Sequence, residues 1–264
     1  MKMKTLYILS MALMAFASCK KDITAQQTKV AGGTTAADGD RPKTANATVQ
    51  FSGYTWTVKN TGTNTQGPGP NYWNQQNVWV DGNGWLHLKM AKNTTTNRWE
   101  CAEVQSTTNF GYGTYQWQVD GAVDQLDKNV VLGFFNYNGV DGQHEMDIEF
   151  AKWGVATNAP LNYTVYPPTA GGSTFHQAYN FNLSGGTYTT HRFKRTSSSV
   201  VFKAMGGFYD NDTNLFQTAT CASPYAVSTL SMPIYMNLWL FQGNAPTNNA
   251  NVEVVIHSFK FTPL

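Results

Sequence analysis

The feature that most constrains the fold is the recurrence of short runs of β-branched and aromatic residues between clusters of glycine, asparagine, proline and threonine. Such runs are typical of β-strands bounded by turns, and no long segment repeats its apolar residues at the helical spacing. A dozen or so short strands predict an all-β chain of two packed antiparallel sheets, a sandwich or jelly roll. The candidate strands are Tyr54 to Lys59, Trp85 to Met90, Glu100 to Ser106, Gly113 to Val119, Val130 to Tyr137, Glu145 to Lys152, Leu161 to Tyr166, His191 to Arg195, Val200 to Ala204, Pro233 to Phe241 and Val252 to Phe261.

The amino terminus predicts export. Residues 1–18 contain Lys2 and Lys4, then an apolar run too short to span a membrane, then small residues, which is the pattern of a secretory signal. Phe16-Ala17-Ser18-Cys19 resembles a bacterial lipoprotein box, in which Cys19 carries the lipid. This resemblance implies anchoring at the envelope of a Gram-negative bacterium, at the outer membrane or cell surface. A plain signal peptide, with Cys19 incidental, is the alternative.

The segment that follows predicts a flexible tether. Residues 19–49 are mostly small and polar without an apolar period, and a chain of this kind would hold a domain of residues 50–264 roughly 30 Å from its anchor. Of the 18 Lys and Arg, two lie in the signal, which leaves 16 against 16 Asp and Glu. Such a balance, without a basic run interleaved with aromatics, argues against a nucleic-acid partner. Membrane contact is expected only through the lipid on Cys19, and the domain is expected to be monomeric.

One predicted strand, His144-Glu145-Met146-Asp147-Ile148-Glu149-Phe150, carries three acids. Side chains alternate along a strand, so Glu145, Asp147 and Glu149 share one face and the apolar residues share the other. Like charges at this spacing raise the pKa of at least one carboxyl, which suits a site that needs one ionised and one protonated group. The alternative is an ordinary half-solvated strand, but such a strand would mix Lys and Thr among its acids.

Two other strands carry polar or aromatic residues on one face that a closed core would not select. Phe135 and Tyr137 share a face of one strand, and Asn237 and Trp239 share a face of another. A ring stacks on the apolar face of a pyranose while an amide bonds its hydroxyls, so this pair suggests sugar binding. Core packing is the alternative for each ring, and for Phe135 the two interpretations are equally supported.

Together these residues resemble glycoside hydrolase family 16, which contains laminarinases and lichenases. The resemblance extends from about Phe51 to Phe261. Its signature is Glu-x-Asp-x-Glu on a regular strand, found here at residues 145–149, and the supporting matches are Phe110-Gly111-Tyr112-Gly113, Phe134-Phe135-Asn136-Tyr137 and Met236-Asn237-Leu238-Trp239. The implied fold is a concanavalin-A-like jelly-roll β-sandwich of two antiparallel sheets with a concave substrate cleft.

The resemblance also implies a function. Glu145 matches the nucleophile of a retaining double displacement, Glu149 the general acid/base, and Asp147 the residue that orients and tunes the pair. The implied substrate is a polysaccharide, β-1,3 or mixed β-1,3/1,4-glucan, cut internally. Substrate-binding positions carried over from the family are Glu103, Phe135, Tyr137, Asn162, Asn237, Trp239 and Trp73, with Tyr166 weaker because it shares the face of Asn162.

Several positions depart from the family pattern. Gln105 replaces a lichenase Arg, Gln143 replaces the Trp two residues before the nucleophile, and Arg195 ends a strand where the family has Trp. The last-strand Asp that binds structural calcium in relatives aligns with His257. The last strand therefore gives structural calcium no support, although calcium elsewhere stays possible, and no cofactor is expected to be required.

The cysteines leave a disulfide open. Cys101 matches one half of the lichenase disulfide, while the other half falls at Asn71. An oxidising compartment would permit Cys101 to pair with Cys221 instead, although two cysteines do not establish a bridge.

Other functions on the same fold remain alternatives. A surface carbohydrate-binding lipoprotein would use the cleft without turnover, a transglycosylase would pass the glycosyl group to a sugar, and a galactan hydrolase would differ in substrate. The intact acid triplet favours the hydrolase over the binding protein, since a binder has no need of three mutually repelling carboxyls.

Overall fold

The computed structural model describes residues 47–264. The predicted signal peptide, the lipidation site Cys19 and the tether up to residue 46 lie outside the described residues. The first strand begins at Thr48, so it crosses the predicted boundary between tether and domain. Within the described range, no helix has the length and apolar character needed to cross a membrane.

The regular secondary structure of residues 47–264 is almost entirely β-strand, as the turn-punctuated sequence predicts. Two 3₁₀ turns lie at Gln75–Asn77 and Phe241–Gly243. The strands are Thr48–Phe51 (β1), Tyr54–Val58 (β2), Tyr72–Trp73 (β3), Val78–Val80 (β4), Leu86–Asn93 (β5), Arg98–Phe110 (β6), Gly113–Asp120 (β7), Val130–Asn136 (β8), Met146–Phe150 (β9), Leu161–Val165 (β10), Phe175–Tyr179 (β11), Tyr188–Arg195 (β12), Val200–Gly206 (β13), Leu215–Cys221 (β14), Met232–Leu240 (β15) and Val252–Pro263 (β16).

These strands form two sheets that join along one edge. The first sheet has the order β11-β10-β9-β8-β15-β6, with β2 and β1 beyond β6. The second has the order β5-β16-β7-β12-β13-β14, with β4 beside β5. The sheets join where the far end of β5 pairs with the start of β6. Apart from the two-residue parallel contact of β3 with β6, the pairing within 47–264 is antiparallel, and the predicted all-β sandwich is confirmed.

The core lies between the two sheets and is rich in aromatic rings. Trp117 of the second sheet stacks on Phe134 of the first with ring centroids 5.4 Å apart, and Tyr163 stacks on Phe202 at 4.6 Å. Burying one such side chain contributes roughly 1.5–3 kcal/mol. Because strand residues alternate, burial of one face of the first sheet leaves its other face toward solvent.

Sequence reasoning found the central strands and missed several edge strands. All eleven candidate strands are present with shifted ends; β9, for example, begins at Met146 rather than at Glu145. The five strands missed are β1, β3, β4, β11 and β14. β14, for example, lies between candidate strands, and most of its residues are exposed or half-buried. An outer strand covered on one side lacks the apolar run by which a central strand is recognised.

The two cysteines do not pair. Cys101 and Cys221 are both buried free thiols, and burial raises the pKa of Cys101 to about 12. Asn71, at the position of the other family half-cystine, accepts a hydrogen bond from Cys101 Sγ at 3.4 Å. Its amide also donates to the carbonyl oxygens of Pro68 and Leu240. The suggested pairing of Cys101 with Cys221 is therefore wrong, and hydrogen bonds of Asn71 link this region instead.

Candidate active site

Strand register arranges the solvent-facing side of the first sheet in rows. In one row, Glu149 lies between Gly133 of β8 and Asn162 of β10. On the other side of Gly133, Asn237 of β15 is opposite both Gly133 and Glu103 of β6. The register therefore brings Glu103, Asn237 and Glu149 to a common strip across four strands.

The other two acids, Asp147 and Glu145, lie in the next two rows of the same sheet face. Asp147 is opposite Phe135 of β8, and the backbone carbonyl of Glu145 accepts a hydrogen bond from Tyr166 N–H at 2.9 Å. The intervening residues of β9 are fully buried in the core. Glu145, Asp147 and Glu149 consequently lie along one face of a central strand, with Glu145 and Asp147 only 8% and 3% exposed at the floor of the cleft.

A buried network holds the residue just before Glu145. His144 has a left-handed backbone, with φ of 51°, and its Nδ1 lies 2.8 Å from Ser228 Oγ. The Ser228 carbonyl accepts hydrogen bonds from Nε and Nη2 of the fully buried Arg195. His144 is thus a structural residue just before β9, the strand that carries Asp147 and Glu149. Ser228 and Arg195 were not predicted for this role, because they are distant from Glu145 in sequence.

Glu103 and Asn237 form a polar pair beside Glu149. Lys59 Nζ lies 2.8 Å from Glu103 Oε1, and Asn237 Nδ2 donates to Glu103 Oε2 at 3.1 Å. Asn237 is 2% exposed, and its Oδ1 has no hydrogen-bond partner in the described structure. A Cβ on Gly133 would stand 2.7 Å from that oxygen. The absence of a side chain at Gly133 therefore accommodates the Asn237 amide, and its unsatisfied oxygen is suited to a hydroxyl from a ligand.

An aromatic group lines the cleft next to Asp147. Phe135 stacks on Tyr235 with ring centroids 5.0 Å apart and planes at 13°, and Tyr137 packs against Tyr235 edge to face. Tyr137 also donates to Asp141 at 2.6 Å. Since Phe135 is opposite Asp147, it lies on the cleft face rather than in the core. Tyr235 was not among the predicted site residues, although its position two residues before Asn237 was the available signal.

Comparison with known proteins gives relatives of one kind, although no family model matches the chain. A β-glucanase of Bacillus licheniformis is 29% identical over 199 residues, covering 73% of this chain and 70% of the relative. A β-glucanase of Bacillus amyloliquefaciens is 28% identical over 170 residues, 63% of each chain. One from Paenibacillus macerans is 32% identical over 120 residues, 44% of this chain and 48% of the relative.

Solved structures give the fold. The Bacillus licheniformis β-glucanase superposes with a TM-score of 0.59 at 20% identity, covering 84% of this chain and all of that one. A glycoside hydrolase family 16 enzyme of Bacteroides ovatus, in complex with a glucan product, has a TM-score of 0.56 at 17% identity over 78% of this chain and 94% of that one. This chain is similar in sequence to bacterial β-glucanases and has the fold of the family 16 enzymes. The predicted jelly-roll fold is confirmed, and the β-glucanase relatives agree with the predicted family.

Two predicted residues of the family 16 cleft have other roles. Trp73 is 1% exposed, its Nε1 donates to the carbonyl oxygen of Gln66 at 2.8 Å, and Lys59 Nζ lies 4.1 Å from its ring centroid. Trp73 therefore belongs to the core, and its contact with substrate stays a prediction. The sequence did not show that the surrounding chain covers its ring.

Asn162 is on the predicted face but its amide is already used. Asn162 Nδ2 donates to the carbonyl oxygens of Ala151 and Pro160. Its Oδ1 accepts from Trp153 Nε1 at 3.2 Å and lies 3.3 Å from His176 Nε2. Asn162 is 1% exposed and holds the segment that follows β9, and its contact with sugar stays a prediction.

Tyr166 and Trp239 also differ from expectation. Tyr166 is predicted as a weaker candidate because it shares the face of Asn162. That face also carries the acids, and the Tyr166 N–H bonds the Glu145 carbonyl. The alternation of side chains along the strand therefore supports Tyr166 as a candidate. Trp239 lies in the row beyond Asn237, opposite Val131, yet it is only 3% exposed and packs against Trp153 with centroids 6.4 Å apart.

The position of the family calcium ligand is occupied by packed rings. His257 stacks on Trp85 with centroids 3.8 Å apart and planes at 23°, and Phe208 packs against the same imidazole at 4.8 Å. Across residues 47–264, no group of three His, Cys, Asp or Glu side chains is arranged to hold a metal ion. The donor set near His257 does not fit calcium, which prefers carboxylate and carbonyl oxygens.

Proposed function

We propose that the protein is a retaining, endo-acting β-glucan hydrolase that cuts β-1,3 or mixed β-1,3/1,4 linkages. The observation that supports the proposal is the shared face of the acids on and beside β9 and of the Glu103–Asn237 pair, with Gly133 between Glu149 and Asn237. Similarity to β-glucanases supports the reaction class, and the shared face of these residues supports their assignment to it.

In the proposed reaction, Glu145 attacks the anomeric carbon while Glu149 protonates the departing glycosidic oxygen. A covalent glycosyl-enzyme forms, and water then attacks the same carbon as Glu149 takes the water proton, which regenerates both carboxyls. Because Glu145 and Glu149 are four residues apart on one strand, with Asp147 between them on the same face, a sugar bound across β9 meets all three.

The neighbours of the acids supply orientation. The free acceptor Asn237 Oδ1 would take a hydrogen bond from a sugar hydroxyl, and Glu103, paired with Lys59, would accept another. Gly133 leaves room for the Asn237 amide, since a Cβ there would stand 2.7 Å from Asn237 Oδ1. Orientation of this kind can supply a large part of the rate enhancement.

The assay is reducing-sugar release by residues 20–264 from laminarin, mixed-linkage β-glucan, xyloglucan and agarose, with Glu145→Gln and Glu149→Gln as matched variants. The proposal expects release from laminarin or mixed-linkage glucan that each substitution reduces at least a hundredfold. A Mycobacterium tuberculosis protein described as a pseudo-β-1,3-glucanase has a TM-score of 0.60 with this chain at 17% identity, covering 84% of this chain and 93% of that one. The fold therefore does not guarantee turnover. Glucan binding without release would contradict the hydrolase and favour a carbohydrate-binding protein.

We also propose that the domain is exported and anchored through a lipid on Cys19. The proposal rests on the sequence around Cys19. Radiolabelled palmitate fed to cells expressing the full chain should label the protein, and Cys19→Ala should abolish the label and release the protein from the membrane fraction. A labelled Cys19→Ala variant would contradict this anchor.

A further inference from the structure

Lys59 directly follows β2, the strand that pairs with β6 in the first sheet. Its backbone N–H donates to the carbonyl oxygen of Glu103 at 2.9 Å, and its Nζ lies 2.8 Å from Glu103 Oε1. The side chains of the pair are only 19% and 9% exposed. Because little water surrounds the two charges, their attraction is screened less than that of a surface pair.

The ammonium group of Lys59 is held from three directions. Besides its contact with Glu103, Nζ donates to the carbonyl oxygen of Gly67 at 2.8 Å and lies 4.1 Å from the centroid of the Trp73 ring. An ammonium group has three N–H donors and is attracted to the face of an aromatic ring. The ring is itself fixed, since Trp73 Nε1 donates to the carbonyl oxygen of Gln66. Lys59 therefore ties the loop between β2 and β3 to Glu103.

Glu103 keeps acceptor capacity after these contacts. A carboxylate has about four acceptor positions. Lys59 occupies one on Oε1, and Asn237 Nδ2 occupies one on Oε2. Both oxygens are therefore oriented, and their remaining lone pairs can accept a hydroxyl proton. Without Lys59, the Asn237 amide would be left to orient the carboxylate.

Lys59 also supplies a charge at a point where the family pattern is broken. By the family resemblance, an Arg of lichenases occupies the position of Gln105, two residues after Glu103 on the same face of β6. Gln105 is uncharged and lies opposite Tyr235 of β15. In this chain the cation comes instead from the end of β2, and it is placed on Glu103 itself.

We propose that Lys59 is a positioning residue for substrate recognition, which holds the Glu103 carboxylate in the orientation that accepts one hydroxyl of the bound sugar. This role rests on the proposed function, because the ligand is taken to be a β-glucan. Lys59 thereby replaces the charge that is missing at Gln105. Trp73 contributes by holding the ammonium group in place.

The first test measures discrimination between sugar hydroxyls. The wild type, Lys59→Met, Glu103→Gln and Lys260→Met would be assayed on a β-gluco-oligosaccharide that the wild type cleaves and on its monodeoxy analogues. Lys260→Met is the matched control, because Lys260 also lies 2.8 Å from a carboxylate, that of Asp210, but on a strand of the second sheet.

In the wild type and the control, kcat/KM should fall about tenfold for one analogue, because Glu103 then lacks a hydrogen-bond partner. In Glu103→Gln and in Lys59→Met, the parent and this analogue should differ by less than about threefold. A variant that is only less stable has fewer folded molecules, which lowers both rates equally and leaves their ratio unchanged. A wild-type ratio in Lys59→Met, or no analogue whose discrimination depends on Glu103, would overturn the role of Lys59.

The second test does not need turnover. Calorimetry on Glu145→Gln would give its affinity for laminari- and mixed-linkage oligosaccharides and for their monodeoxy analogues, with and without Lys59→Met. The same loss of discrimination should appear in the dissociation constants. Sugar release by the wild type, with discrimination that Lys59→Met leaves intact, would refute the role of Lys59 and leave the hydrolase standing. No release by the wild type, with discrimination in binding that depends on Lys59, would refute the hydrolase and leave the role of Lys59 standing.

Discussion

Gly133→Ala is expected to impair the site through one misplaced methyl group. The added Cβ would stand 2.7 Å from Asn237 Oδ1, a separation that real carbon atoms do not adopt, so Asn237 must move. Asn237 is 2% exposed and its Nδ2 is bound to Glu103. Its displacement therefore weakens that bond and moves the amide away from its position beside the Glu149 row.

The magnitude follows from these contacts. Overpacking a well-packed position costs about 1–3 kcal/mol of stability, and a hydrogen bond to a charged group contributes about 1.5–3 kcal/mol. If the lost orientation is expressed in the transition state, kcat/KM on the preferred glucan should fall about 10- to 100-fold, or roughly 1.4–2.8 kcal/mol.

The assay combines initial rates on that glucan with urea unfolding of each variant. Gly206→Ala is the matched control, because Gly206 is also in a strand and a Cβ there would meet nothing within 4 Å. The control should retain wild-type kcat/KM. Full activity and unchanged stability in Gly133→Ala would refute the argument, since the position of the Asn237 amide would then not matter to the substrate.

Three further predictions concern other parts of the molecule. Asn71→Ala should lower the free energy of unfolding by at least about 2 kcal/mol, because it leaves the buried backbone groups of Leu240 without their partner; a urea midpoint equal to that of the wild type would contradict this. Burial lowers the pKa of His191 from 6.5 to about 3, so the unfolded chain takes up its proton first as the pH falls. The stability contribution of neutral His191 is complete above pH 6.5 and decreases below it, by about 2 kcal/mol at pH 5. Urea unfolding at pH 7 and pH 5 should show this loss in the wild type and not in His191→Phe, and equal losses in both would refute it. Glu149→Gln should reduce kcat/KM on polymer about 10²- to 10⁴-fold but much less on aryl glycosides whose leaving group needs no proton; equal reduction on both would argue against its role as acid.

The sequence could predict those site residues whose face follows from the alternation of side chains within one strand. Glu145, Asp147 and Glu149 alternate with buried residues of one strand, and Asn237 occupies the corresponding face of another. Alternation gives the face of a side chain, and the register of neighbouring strands then brings these faces together.

What could not be predicted depends on contacts between distant segments. Alternation does not reveal that later chain covers Trp73, or that the amide of Asn162 is used by Trp153. Arg195 and Ser228, which support the residue before Glu145, are joined only by the folded structure. Outer strands such as β14 were missed because exposure removes the apolar pattern that identifies a strand.

The most direct test of the central claim is to trap the covalent intermediate. The protein would be incubated with an aryl 2-deoxy-2-fluoro-β-gluco-oligosaccharide of the linkage that it cleaves, digested, and analysed by peptide mass spectrometry. The proposed double displacement predicts a glycosyl adduct on Glu145, absent in Glu145→Gln and still formed, from an activated leaving group, in Glu149→Gln. An adduct on Glu149 or any other residue, or turnover of the natural glucan with inversion at the anomeric carbon, would contradict it.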